Sequence, residues 1–299
     1  MSVAIAEASG RRLALAYLEL TKPRIISLVV ITGAPALLLA AGGMPPARVF
    51  WGALVGTLLA AASAASLNMY FDRDIDGLMV RTANRPLPAG VLPASSALGL
   101  GLVLAGLAWV TLLIFANVWA ALIAIASIAY YALFYTVWLK RRTPQNIVIG
   151  GGAGASAPLI AWAAVTGHVS VAAVLLAAIV FFWTPPHFWA LSLYRRDDYA
   201  RAGIPMLPVT HGEDETRRQI VIYSLLLVPI TLSVWWLGVT GPVYGIPASV
   251  LGGVFLFLAE RLRRRPSTPH AVQLFRFSIL YLFLLFALLT LDVVVRAWR

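Results

Sequence analysis

Residues 48–76 read RVFWGALVGTLLAAASAASLNMYFDRDID. From Val49 to Leu67 there is no charged side chain, and then four acidic or amide side chains arrive within nine residues at Asn68, Asp72, Asp74 and Asp76. A helix that crosses a bilayer needs about 20 mostly apolar residues, so 48–67 reads as a membrane span that runs into a polar end. Eight further segments have the same character, at 24–42, 94–114, 117–138, 146–165, 169–190, 219–238, 243–260 and 273–295. The expected fold is therefore all-α, a polytopic membrane bundle of nine transmembrane helices in a single domain over 1–299. Composition agrees. Of the 299 residues 61% are apolar and 12% charged, with mean hydropathy +0.85, where soluble domains carry about twice that charge. Disorder, which needs low hydrophobicity, is excluded. The absence of cysteine excludes disulfides, thiolate metal sites and a cysteine nucleophile.

The net charge of +11 is sorted by position, which argues against nucleic acid as its partner. Twenty of the 23 Lys and Arg residues fall in the N-terminal segment (Arg24 included) and in alternate gaps between spans. Only Arg48, Arg296 and Arg299 fall on the other side. By the positive-inside rule the rich side is cytoplasmic, with the N-terminus in and the C-terminus out. Eleven of the twelve acids share that side, Asp292 being the exception. Acids are not governed by the rule, so their one-sidedness points to a site at the cytoplasmic ends of the helices. Arg11-Arg12 is followed by a short apolar stretch broken by Glu19, Lys22 and Pro23, which does not fit a cleaved signal. Residues 1–22 read as a cytoplasmic N-terminal segment in which 10–21 form an amphipathic helix on the membrane surface.

Two connections are long, 68–93 and 191–218, and long structured loops are often functional. If the second span continues as helix, Asn68, Asp72 and Asp76, at i, i+4 and i+8, line one face. Two carboxylates and an amide oxygen suit Mg²⁺, a hard ion that uses one or two carboxylates together with substrate phosphates. Arg73, Arg81 and Arg85 follow and could clamp phosphate oxygens. The competing reading is a polar helix end whose acids and arginines neutralise one another. The second loop repeats an acidic cluster, Asp197-Asp198, followed by a Leu-Pro pair. If the two clusters face each other they could hold more than one metal around a diphosphate. Lys140 and Arg141 are further candidates for diphosphate contact, with topology signalling as the plain alternative. The glycines from Gly150 to Gly154 lack the Gly-Lys-Ser/Thr of a phosphate loop and suit close helix packing or room for a flat ligand. Of the four histidines, His168 lies on the far side and His211 and His270 lie in loops. His187 follows Pro185-Pro186 in the sixth span, where paired prolines should break the helix beside a cavity. Span centres almost free of charge argue against a transporter, which would carry ionisable groups at mid-membrane.

The string Asn68-x-x-x-Asp72-x-x-x-Asp76 after a span resembles the first signature of the UbiA-type intramembrane prenyltransferases. Four longer stretches resemble the haem-farnesylating branch of that family. These are Asp72–Pro86, Tyr135-Thr through Lys140-Arg141 to Asn146, Trp183-Thr-Pro-Pro-His-Phe-Trp, and Asp198-Tyr through Gly203-Ile-Pro-Met-Leu-Pro. The resemblance implies transfer of a farnesyl group from farnesyl diphosphate to a vinyl carbon of protohaem IX, with addition of water. Mg²⁺ would be the cofactor, held by Asn68, Asp72 and Asp76, and haem a substrate. The implied catalytic residues are Asp72, Asp76 and Lys140. The implied substrate-binding residues are Arg73, Arg81, Arg85, Arg141, Asn146, His187 and Asp198, with His187 near the haem iron. Phe71, Tyr131, Trp183 and Trp189 are candidates to face an allylic cation. It also implies a bacterial cytoplasmic membrane and, as a protein partner, a haem A synthase or an oxidase-assembly protein. The second Asp-x-x-x-Asp of many family members is absent: Arg195 and Tyr199 stand near where its acids would fall. A family member that prenylates a quinone precursor such as 4-hydroxybenzoate is the alternative.

Overall fold

The computed structural model describes residues 2–298, and their side chains apart from those of 2–9, 24 and 25. The charges of Arg24 and Arg299, used above for topology, lie outside the described residues. Helices α1 (Ser2–Leu20) and α2 (Pro23–Ala41) precede the long α3 (Ala47–Asp76), α4 (Ala94–Phe115) and α5 (Val118–Ala129), which runs on as a π-helix over Tyr130–Leu139. Then come α6 (Asn146–Gly154), α7 (Ser156–Thr166), α8 (Val171–Leu193), the short α9 (Arg196–Arg201) and α10 (Leu207–Thr210), and finally α11 (Gly212–Trp236), α12 (Pro242–Arg264) and α13 (Thr268–Ala297).

Among the described residues, eight helical stretches are long and apolar enough to cross a membrane. They are the predicted spans other than the first. Two are composite: α5 with its π-helix (Val118–Leu139), and α6 with α7 (Asn146–Thr166). The first predicted span, 24–42, is α2, whose apolar part Ile26–Ala41 is shorter than the rest. α2 packs on α3, α7 and α13, so it meets the last helix of the chain.

In lipid there is little hydrophobic drive between helices, and close packing of small residues takes its place. The α3–α4 pair shows this. A Cβ at Gly52 would stand 2.1 Å from Phe115, one at Gly56 2.5 Å from Leu112, and one at Gly101 2.6 Å from Leu67. Ser63 and Ser66 donate from α3 to the carbonyls of Gly101 and Ala97 (2.7 and 2.8 Å). The amide of Asn117 caps α5 while donating to the last carbonyls of α7. At the opposite end of the bundle from Asp76, both oxygens of Asp292 accept from the Gly241 N–H.

Four expectations need correction. α3 continues for two turns past Leu67, so 68–76 are helix and the first loop begins at Gly77. The second loop is 194–211, holds two short helices, and gives way to α11 at Gly212. His270 sits in the first turn of α13, beyond the Ser267 cap. Pro185 and Pro186 do not break α8, which is continuous through them. Their missing N–H groups leave the carbonyls of Phe181 and Phe182 without helical donors. Burial of the segment among α6, α11 and α13 holds the helical path, and Thr184 Oγ1 finds its acceptor one turn back at the Val180 carbonyl (2.8 Å). α1 buries Ala16 and Leu20 against Met69, Leu92 and Ala97 and exposes Leu13, Leu15 and Leu18 beside Arg11 and Arg12.

Gly101→Leu should destabilise the protein by about 1–3 kcal/mol through overpacking at α3, seen as a lower thermal unfolding midpoint in detergent. Gly99→Ala, where a Cβ meets nothing within 4 Å, should leave the midpoint unchanged or raise it.

Candidate active site

At the end of α3 the i, i+4, i+8 spacing puts Asn68, Asp72 and Asp76 on one buried face, each 3% exposed or less. Buried carboxylates need partners, and each is served on a single oxygen. Asp72 Oδ2 accepts from Asn68 Nδ2 (2.8 Å) and Lys140 Nζ (2.7 Å). Asp76 Oδ2 accepts from Arg85 Nη1 (2.6 Å). The other oxygens, Asp72 Oδ1 and Asp76 Oδ1, are buried and accept nothing. Both residues line a cavity of about 390 Å³.

Lys140 reaches Asp72 because the helix before it widens. Its N–H donates to the Tyr135 carbonyl five residues back (2.8 Å), and the ten-residue π-helix turns Tyr131 and Tyr135 into the cavity, stacked with ring centroids 5.4 Å apart. Thr136 accepts from Asn68 Nδ2 (2.9 Å) and ties this helix to α3. Gly150 makes the arrangement possible, since a Cβ there would stand 2.3 Å from the Tyr135 ring. Arg85 is delivered by the loop after α3, which Thr82 folds back by donating to the Asp76 carbonyl (2.7 Å). Arg81 lies on the cavity wall, as does the Tyr199 phenol. Burial pushes that phenol up and Arg81 draws it partly back.

One basic group on the cavity wall was not singled out in the sequence. Lys22, in the joint between α1 and α2, lines the cavity and donates to Asn68 Oδ1 (2.5 Å). Its backbone is left-handed (φ 53°), a conformation that costs a non-glycine residue about 1 kcal/mol or more. Burial first, and then the Arg85 charge, push its ammonium down to about 7. The available signal was a lysine directly before the proline that starts the first span. Lys22, Arg81, Arg85 and Lys140 thus surround two carboxylates, a surplus of positive groups that suits an anion.

Several predicted residues are elsewhere. Arg73 lies over the Tyr70 ring (4.5 Å) and donates to the Tyr70 carbonyl. Arg141 makes a two-pronged pair with Asp74 at the surface (2.7 Å each). Asn146 is fully buried behind Lys140 and donates to its carbonyl (3.3 Å). Asp198 is paired with Arg201 and, at 4.0 Å, Arg195 and does not line the cavity. The second loop instead contributes Tyr199, Ile204 and Met206, so the two acidic clusters do not face one another. Among the described residues no three His, Asp or Glu side chains group as a metal site.

A hard cation nevertheless fits the two free carboxylate oxygens, which match the one-or-two-carboxylate mode of Mg²⁺ when substrate oxygens complete the shell. Asn68, with its amide nitrogen on Asp72 and its oxygen on Lys22, positions these groups rather than presenting a free oxygen.

Much of the remaining cavity wall is apolar. Trp183 and Phe188 of α8 and Leu282 and Phe283 of α13 line it, with Gly151 and Gly154 of α6 offering no side chain. His187 lines it too, with Nδ1 2.7 Å from Ser278 Oγ. Phe71 and Trp189 do not; Trp189 packs edge-on against Tyr223.

Residues 29–290 match the UbiA prenyltransferase family. A protein of Azorhizobium caulinodans named protoheme IX farnesyltransferase is 51% identical over 284 residues, covering 94% of this chain and 92% of its own length. Two solved structures share the fold. One, of digeranylgeranylglyceryl phosphate synthase, has a TM-score of 0.79 at 19% identity over 95% of this chain and 99% of that one. The other, a UbiA homologue from Archaeoglobus fulgidus bound to DMAPP and Mg²⁺, has 0.69 at 16% identity over 92% and 99%.

Lys140→Ala removes a charge-assisted contact in the cavity and should weaken binding of inorganic pyrophosphate with Mg²⁺ roughly tenfold or more. Arg141→Ala removes a solvent-facing pair and should change it less than about twofold. Calorimetric titration of the detergent-solubilised protein separates the two.

Proposed function

We propose that this chain, which belongs to the UbiA prenyltransferase family, transfers the farnesyl group of farnesyl diphosphate to a vinyl carbon of protohaem IX, with addition of water, giving haem O. The observation that carries the reading is the mixed lining of one cavity. Two carboxylates, each with a free oxygen, and four basic side chains share its wall with aromatic side chains, glycines and a histidine. The name of the relative that is 51% identical supports haem as acceptor over a quinone precursor.

Mg²⁺ held by Asp72 and Asp76 would supply neutralisation of diphosphate charge. The chain's own residues do the rest. Arg81, Arg85, Lys140 and Lys22 donate to the diphosphate oxygens, and their effect grows as the allylic C–O bond breaks and its electron pair leaves with the diphosphate. Asn68 and Asn146 hold the acid–base pair in place from behind. Tyr131, Tyr135 and Trp183 offer π faces to the allylic cation, in a cavity that keeps bulk water from it. The vinyl π electrons then form the new C–C bond at farnesyl C1. The positive charge passes to the carbon beside the porphyrin ring, and water adds there with loss of a proton. Arg73, Arg141 and Asp198 are assigned to the scaffold around this site.

The same reading places the polar end of the bundle at the cytoplasmic face of a bacterial inner membrane, N-terminus in, in accord with the arginine distribution. α1 then lies in the interface with its exposed leucines in lipid. The product, an amphiphilic haem, would pass within the membrane to the next haem-modifying protein, of the haem A synthase kind.

Asp72→Ala should lower formation of the farnesylated, hydrated haem at least about a hundredfold while the protein remains membrane-inserted. Product mass with purified protein, protohaem, farnesyl diphosphate and Mg²⁺ measures it, and EDTA should abolish the wild-type signal. Full activity in Asp72→Ala would remove the metal-site assignment. Prenylation of 4-hydroxybenzoate but not of haem would replace the acceptor.

A further inference from the structure

His187 is held more firmly than a packing residue requires. Its ring is stacked on Trp183 (centroids 4.3 Å, planes 18° apart) on one face and on Phe275 (4.7 Å, 23°) on the other. Both ring faces are therefore spent, and only the edge remains for a ligand. Along that edge Nδ1 is 2.7 Å from Ser278 Oγ. The same Ser278 Oγ lies 2.6 Å from the Phe275 carbonyl oxygen, which can only accept. A serine hydroxyl has one proton. Since it goes to Phe275, Ser278 must accept from His187, and Nδ1 carries the hydrogen. In a neutral imidazole the other nitrogen then carries the lone pair. Among the described residues nothing else hydrogen-bonds the ring, and His187 borders the cavity. The backbone adds rigidity. Pro185 and Pro186 fix φ in the residues directly before His187, and Trp183 Nε1 donates to the Ser278 carbonyl (2.7 Å), so α8 and α13 are joined twice at this level.

We propose that Ser278 is a positioning residue: it holds His187 in the Nδ1–H tautomer and thereby presents the Nε2 lone pair to the iron of a haem seated in the cavity. The inference rests on haem being the acceptor. Neutral imidazole with its far N–H donated to a fixed acceptor is the arrangement that orients histidine for metal ligation and raises its basicity, and histidine is a common axial ligand of haem iron. A bond at the centre of the macrocycle anchors it while leaving the periphery, where the vinyl group reacts, unengaged. Gly151 and Gly154 on the facing helix line the cavity without side chains.

The test titrates full-length protein in detergent with ferric protohaem, without farnesyl diphosphate, and reads the Soret band and the electron paramagnetic resonance spectrum. Wild type should show a histidine-ligated signature. His187→Ala should lose it and regain it with added imidazole. Ser278→Ala keeps the backbone contact to Trp183, and should weaken haem binding about tenfold, the low end for loss of a group behind a metal ligand, with a spectrum displaced toward that of His187→Ala. Ser278→Thr, which keeps the hydroxyl, should restore both. An unchanged spectrum in His187→Ala, with haem farnesylation intact in wild type, would overturn the ligation while leaving the proposed reaction standing. A wild-type spectrum and affinity in Ser278→Ala would overturn the positioning role. Wild-type protein that neither binds nor farnesylates haem would sink the acceptor assignment, and this inference with it.

Discussion

The pair between Lys140 and Asp72 is the interaction on which the site depends. A carboxylate 1% exposed at the end of a membrane helix is tolerable only with its charge compensated and its oxygens hydrogen-bonded. Lys140 meets half of that demand from 68 residues away in the chain. To bring it there, the helix from Val118 departs from α geometry and widens into ten residues of π-helix. π turns are rare and often mark functional positions. Here the widening serves two ends, since it also turns Tyr131 and Tyr135 inward. The unmet half of the demand is one bare oxygen on each of Asp72 and Asp76.

Glycine does two different jobs in this bundle. In α3 and α4 the absent side chains at Gly52, Gly56 and Gly101 let backbones approach, with serines closing the contact. In α6 the same economy of volume is spent on the cavity: Gly150 seats the Tyr135 ring, and Gly151 and Gly154 leave wall without side chains. The run from Gly150 to Gly154 was readable as either packing or ligand space; the structure has Gly150 against the Tyr135 ring and Gly151 and Gly154 on the cavity wall.

The elements most legible in the sequence were those governed by a single long-range rule. Eight of the span positions followed from apolar length alone, and the face shared by Asn68, Asp72 and Asp76 followed from helical periodicity once α3 was allowed to continue. Arg85 was legible because it is close in sequence to the acids it serves. Arg73, Arg141 and Asp198 were misplaced for a common reason: each has a local or surface partner, Tyr70, Asp74 and Arg201 respectively, that captures it before the cavity can. Lys22 was overlooked because its charge had already been explained by topology. The paired prolines misled because a helix buried among neighbours can stay helical with two carbonyls unserved, whereas an isolated one could not.

By itself the sequence determined that this is a many-span helical membrane protein with acids and arginines gathered at one face, because apolar length, charge sorting and the i, i+4 repeat are local or additive properties. Only the tertiary structure decided which cations reach Asp72 and Asp76, that the second acidic cluster turns away, and that Ser278 stands behind His187. Those outcomes are set by competition among partners far apart in the chain for a few buried oxygens and nitrogens, and such competition is resolved by packing in three dimensions.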